Sequence, residues 1–191
     1  MIKEFIDFTT ETISCIQPYT KENIKKAIEQ FHLEGKQLFT TLDEGLECLA
    51  QGDVLENIPF YRIDKTGRLQ VYKTRGLVLS NTCDCSRDNN ILLAPFIPIK
   101  DTQKDRQALL NNTIYGYLYL PDCKYDEYVV DFSLTNSFNR EVLIKGIEKE
   151  VITKTVSLNS YGYYLFLCKL TIYLMRPEDS GIQESRLNNV I

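Results

Sequence analysis

The sequence predicts an α+β chain: a small, strongly bent β-barrel or sandwich, preceded by two short helices and followed by one C-terminal helix. Three observations carry this. From Gly52 onward, apolar residues recur with the period of strands, and turn residues interrupt them at short intervals. No helical pattern separates those strands, which argues against a parallel sheet built on crossover helices. Helical spacing appears only before Gly52 and after Ser157.

Each element has its own signal. Thr20 caps a helix from Lys21 to Phe31, in which Ile24, Ala27, Ile28 and Phe31 share a face and Gly35 provides a stop. Thr41-Leu42-Asp43-Glu44 has the form of a capping box, followed by Leu42, Leu46 and Leu49 on one side and Gly52 at the end. "DVLENIPFYRI", the turn Asp64-Lys65-Thr66-Gly67 and "RLQVYKTRGLVLS" read as a β-hairpin. "ILLAPF" reads as a buried strand ended by prolines. "TIYGYLYLP", alternating around Ile114, Tyr115, Tyr117 and Tyr119, then "EYVVDFSL" and "REVLIKGI" bring the expectation to five to seven strands, with a polar insert from Lys100 to Asn112.

Ser157 or Asn159 starts the last helix. It runs to Met175 with Tyr161, Tyr164, Leu165, Cys168, Ile172 and Met175 spaced to pack, and Pro177 stops it. "EDSGIQESRLNNVI" is polar and predicts a frayed tail. The expected organisation is a helical segment over 1–51, the β-domain with its closing helix over 52–176, and a tail over 177–191.

Composition narrows the function classes. With 191 residues and 43% hydrophobic content, the chain can bury one substantial core. A net charge of -4 argues against holding nucleic acid by bulk charge, though not against a local basic patch. Six cysteines would fit disulfides in a secreted chain, but Met1 to Cys15 lacks a basic segment followed by a long apolar run. A cytoplasmic protein with reduced thiols is the expectation. No segment approaches the roughly 18 apolar residues of a membrane span, so no membrane partner is expected.

Read together, "QGDVLENIPFYRI", "KTRGLVLSN" and "NNILLAPFIPIK" are similar to the barrel of the MazF/PemK toxins of bacterial toxin–antitoxin pairs. In that family a Gly-Asp-Val opens the first strand, a basic loop precedes "LVLS", and the following strand ends in a proline segment. The resemblance spans Gly52 to Lys100 and implies an SH3-like barrel in a toxin–antitoxin or phage-defence type system. The chain also resembles a less characterised set of bacterial proteins with Ser-x-x-Cys-Asp after a similar strand, here Ser80-Asn81-Thr82-Cys83-Asp84, and Tyr119-Leu120-Pro121 later.

The toxins use an arginine just before "LVLS" and a threonine just after the later proline, to stabilise the cleaved phosphate and position the attacking 2'-hydroxyl. Aligned on Leu77 to Ser80, the arginine position falls on Thr74, with Arg75 one residue later. Aligned on Pro95, the threonine position holds Ile97. Because strand side chains alternate, a slip of one turns Arg75 to the other face unless a bulge intervenes.

Cys83-Asp84-Cys85 offers soft and hard ligands, but its two thiolates are only half of a structural zinc set. Cys123, Cys168 and His32 lie far along the chain. A nucleophilic cysteine needs a base such as histidine, and His32 is the only one. Neither metal nor cofactor is therefore expected. Asp84 is read first as a turn organiser that accepts backbone amides. The functional alternative gathers Lys73, Arg75, Asn81, Asp84 and Arg87 at one mouth of the barrel, with the cations meeting phosphate and Asn81 meeting bases. The tyrosines of "YGYLYL" and "YGYYLF" are read as core and cross-strand pairs rather than stacking platforms.

The expected function is a non-catalytic binding or regulatory component that contacts a protein partner or RNA through that mouth, with a homodimer admissible. The alternative is a MazF-like, metal-independent endoribonuclease acting on single-stranded RNA, with Arg75 its one catalytic candidate.

Overall fold

The structure, a computed structural model, describes residues 38–40, 46–121, 124–175 and 178–188. The predicted helix from Lys21 to Phe31, the Thr41 capping box and Pro177 lie outside these residues. Its strands are β1 (Phe39–Thr40), β2 (Asp53–Ile63), β3 (Leu69–Val78), β4 (Asn90–Pro98), β5 (Tyr117–Leu118), β6 (Tyr128–Asp131), β7 (Asn136–Asn139) and β8 (Thr153–Leu158). Its helices are α1 (Thr82–Arg87), α2 (Arg106–Leu110), α3 (Arg140–Glu148), α4 (Ser160–Met175) and α5 (Ser180–Asn188).

All ladders are antiparallel, in the order β1-β8-β2-β3-β4-β6-β5. β4 carries two partners on one edge, β7 along Asn90 to Leu93 and β6 along Phe96 to Pro98. The α+β class is as expected. The path is open, since no ladder joins β5 to β1 among the described residues.

The β2–β3 hairpin turns where the sequence places it. Asp64 Oδ1 accepts Thr66 N at 2.8 Å and Arg68 N at 3.0 Å, and Gly67 takes a φ of 80° that other residues resist. Segments 77–80 and 91–97 also pair as expected, with Leu77 opposite Ala94 and Val78 opposite Leu93. These strands look continuously apolar because both faces are buried. Val54, Leu77, Ala94 and Phe96 face a core shared with Leu165 and Phe166 of α4. Leu55, Ile58, Phe60, Val78 and Leu93 face a second core closed by Cys85 of α1 and Leu143 of α3. Two irregularities interrupt the ladders of β2: the β2–β3 register shifts between Leu55 and Ile58, where Asn57 has a φ of 65°, and the β2–β8 register shifts between Val54 and Leu55.

Several expectations fail for identifiable reasons. Leu46 to Ala50 is not helical, because its backbone groups are bonded elsewhere: Leu46 and Cys48 carbonyls accept Lys154 Nζ, and Ala50 N donates to Asp53 Oδ2. "REVLIKGI" is the helix α3 rather than a strand, capped by Asn139, whose side chain accepts Val142 N at 3.2 Å. "TIYGYLYLP" yields only β5, since the Asn112 amide takes both the N–H and the C=O of Tyr119 in place of a neighbouring strand. "EYVVDFSL" stops as a strand at Asp131, whose carboxylate bonds Ser133 N and Oγ and starts a 3-10 turn over Phe132–Leu134.

The tail is also more regular than its polarity predicts. Asp179 caps α5, and Arg186 forms a two-bonded ion pair with Glu178 at 2.6 Å. At the other end of the fold, α4 starts as predicted, with Asn159 Oδ1 accepting Tyr161 N and Gly162 N. No helix among the described residues is long and apolar enough to cross a membrane.

Candidate functional site

Arg75 is the most elaborately held surface cation near the predicted site. It leaves β3 on the face of Leu77, and the β2 bulge turns Glu56 to the same side. Arg75 Nε meets Glu56 Oε1 at 3.2 Å, and Nη1 reaches Lys124 O at 3.5 Å. Its guanidinium lies 5.1 Å from the ring centroids of both Tyr125 and Tyr128. Tyr125 is itself wedged against Phe39 and Phe96, with centroid distances of 5.0 and 5.4 Å. Ring faces attract a cation by about 0.5–2 kcal/mol depending on desolvation. With the side chain still 29% exposed, the guanidinium can meet a carboxylate or phosphate from outside.

Among the described residues, the two positions expected to accompany it chemically do not supply that chemistry. Thr74, at the family's arginine position, donates its hydroxyl to Phe96 O at 2.8 Å. Ile97, at the threonine position, has no hydroxyl to offer, and the only histidine, His32, lies outside the described residues.

The other candidates divide between two faces. Lys73 is exposed two residues before Arg75 on the same side of β3. Asn81, Asp84 and Arg87 belong instead to α1, which the sequence does not predict. Asn81 Oδ1 caps it by accepting Cys83 N at 2.9 Å, Asp84 is exposed in its first turn and Arg87 in its last. α1 is anchored on the opposite side of the sheet, where Cys85 enters the second core. The structure thus groups Lys73 with Arg75, and leaves Asn81, Asp84 and Arg87 as a separate rim.

The same helix separates the two cysteines chemically. Cys83 is exposed, whereas burial pushes the Cys85 thiol up to about 11, and Cys85 Sγ donates to Ser80 O at 3.5 Å. Cys168 inside α4 is pushed up to about 12 by burial. Among the described residues, no group of three or more His, Cys, Asp or Glu could hold a metal ion. Alkylation mapped by mass spectrometry should label Cys48 and Cys83 in the native chain and leave Cys85 and Cys168 protected until it unfolds. Equal labelling rates at all four would contradict this packing.

Sequence reasoning found Arg75 but missed Glu56, Tyr125 and Tyr128. Its core expectation for the tyrosines fits Tyr161 and Tyr163, which pack on the first core, and Tyr117 and Tyr119, which pack on Ile99, Leu109 and Val129, but not Tyr115, which is exposed.

No protein-family model matches the chain, and no curated protein matches it. Among solved structures it is similar to the crystal structure of MazE-MazF (Form-II) from Deinococcus radiodurans. The identity is 13% and the TM-score 0.41, over 69% of this chain and 100% of that one. No residue role is carried across at that distance.

Proposed function

We propose that the chain is a non-catalytic binding component of a bacterial toxin–antitoxin or phage-defence type system. In this reading it acts in the cytoplasm and engages a protein partner through the face bearing Lys73 and Arg75. The setting rests on the sequence likeness of residues 52–100 to the toxin barrels, and the sheet is read as an opened SH3-like barrel. Asn81, Asp84 and Arg87 form a second exposed rim for the same kind of contact.

One observation supports binding over catalysis. Arg75 is fixed by Glu56 and two phenol rings, next to a Thr74 hydroxyl already bonded to Phe96 O. Phosphoryl transfer to a 2'-hydroxyl needs a group to take the proton as well as a cation for the developing charge. Arg75 is suited to the second task alone, and Glu56 is engaged in holding it. Purified chain should therefore leave a fluorescent single-stranded RNA at full length over hours of incubation. Cleavage that disappears in Arg75→Ala would replace this reading with that of a ribonuclease.

A further inference from the structure

Beyond Arg75 the hairpin becomes a two-stranded arm. β8 pairs with β2 only over Asp53 to Glu56, and β4 pairs with β3 only over Gly76 to Val78. Residues 58–63 and 69–74 extend past both of these ladders, roughly 20 Å at about 3.3 Å per residue, with the Thr74 hydroxyl still reaching Phe96 O of β4 at the base. One side of the arm packs inward through Phe60 and Tyr72. The other carries Tyr61 opposite Val71 and Ile63 opposite Leu69, an apolar patch in which Ile63 is 73% and Leu69 65% exposed.

The arm's backbone is also incomplete along one edge. Arg68 O and Val78 O accept from Asp64 N and Gly52 N, on the β2 side. By antiparallel alternation, the even-numbered residues of β3 therefore bond β2, and the odd ones direct N–H and C=O outward. Leu77 meets β4 there, but Leu69, Val71 and Lys73 lie beyond it. β2's outer edge is different, because Tyr61 N donates to Asn136 Oδ1 at 2.7 Å.

We propose that the outer edge of β3 from Leu69 to Lys73 is a docking site for an extended, acidic segment of a partner protein, which adds to the arm as a strand. This rests on the protein-binding reading above and names the chemistry of the partner. Three backbone N–H groups and three C=O groups that meet no partner among the described residues supply the ladder, the pattern by which sheet edges capture peptides. Side chains at alternate positions of the incoming segment cover Leu69 and Val71, and an acidic one meets Lys73.

Charge selects this occupant. In a chain of net -4, residues 59–73 carry Arg62, Lys65, Arg68 and Lys73 against a single carboxylate, Asp64, which is bonded within its own turn. Edge-to-edge pairing of two copies would bring two such cationic arms together and set Lys73 of each beside Leu69 of the other. Nucleic acid would find the cations but only one ring, Tyr61, on a patch otherwise aliphatic, where base stacking has no purchase.

The probe is a ten-residue synthetic peptide alternating Val and Glu, read by residue-resolved amide hydrogen exchange of the full chain. Binding should slow exchange at Leu69, Val71 and Lys73 at least tenfold while leaving Gln70 and Tyr72 unchanged. Lys73→Glu, an exposed change, should weaken binding of this peptide at least tenfold, as should replacing its glutamates by lysine. Val71→Pro removes one outward N–H without touching the inner ladder and should weaken it similarly. Unchanged exchange at the three edge amides would overturn the proposal. So would protection that rises with protein concentration alone, which assigns the edge to a second copy, or protection by single-stranded RNA but not by the peptide. Intact RNA without edge protection sinks only the strand addition; cleaved RNA with edge protection sinks only the non-catalytic reading.

Discussion

Asp53→Ala should destabilise the fold by on the order of 3–5 kcal/mol, the cost of breaking a buried ion pair by removing one partner. Asp53 is fully buried, and each carboxylate oxygen is engaged: Oδ1 accepts Ser157 Oγ at 2.6 Å, and Oδ2 accepts Ala50 N at 2.7 Å and Lys154 Nζ at 2.9 Å. Truncation leaves a nearly buried ammonium beside no carboxylate, a loose turn at Ala50 and a Ser157 hydroxyl that has lost its acceptor on β2. Set against typical domain stabilities of about 5–15 kcal/mol, that is a large fraction of the whole. Urea denaturation checks it through the midpoint, and Asp53→Asn separates charge from shape. Asp53→Ala combined with Lys154→Met should cost less than the sum of the two changes, because the second relieves the stranded charge. A single-site loss below about 1 kcal/mol would show that the pair is not the anchor drawn here.

Lys169→Met should have an effect that grows with pH. Lys169 is buried in α4, where its ammonium donates to Asn112 O and Ile114 O, both at 2.8 Å, and burial lowers it from the ordinary 10.5 to about 8. Between those values the unfolded chain binds the proton and the folded chain does not, so this group's contribution to stability rises with pH. Below pH 8 the charge is carried in both states, and relief of its desolvation offsets the hydrogen bonds lost in the variant. By pH 9.5 the wild-type advantage over Lys169→Met should be greater by about 2 kcal/mol than at pH 7. Buried thiols and tyrosines titrate alike in both proteins and cancel in the difference. A variant penalty that shrinks as pH rises would contradict the burial of this amine.

How much of this could be read beforehand depended on the range of the interaction. The β2–β3 hairpin and α4 were legible because their signals are local: Asp64 to Gly67 specifies a turn by its own side chains, and Asn159 caps the helix that follows it. α3 was misread although Asn139 stands at its start, because Val142, Leu143 and Ile144 form an apolar run that fits either period. α1 was missed because it is six residues long and polar, and only the burial of Cys85 justifies it. Arg75 was visible as a cation before an apolar strand. Its setting was not, since the bulge at Asn57 and the rings of Tyr125 and Tyr128 reach it from elsewhere in the sequence.

The pairing of β8 with β2 has a consequence during synthesis. Ser157 and Asp53 are 104 residues apart, so a ribosome adding about 5–20 residues per second needs roughly 5–20 s to deliver one after the other. Through that interval β2 has its hairpin partner on one side and a vacant edge on the other, with a carboxylate that has not yet met its ammonium. A hydrated Asp53 at the start of this vacant stretch discourages a neighbouring nascent chain from pairing there, as inward-pointing charges do on sheet edges. Arrival of Lys154 neutralises that guard as β8 takes its place. The residue that anchors the finished sheet thus also protects the unfinished one.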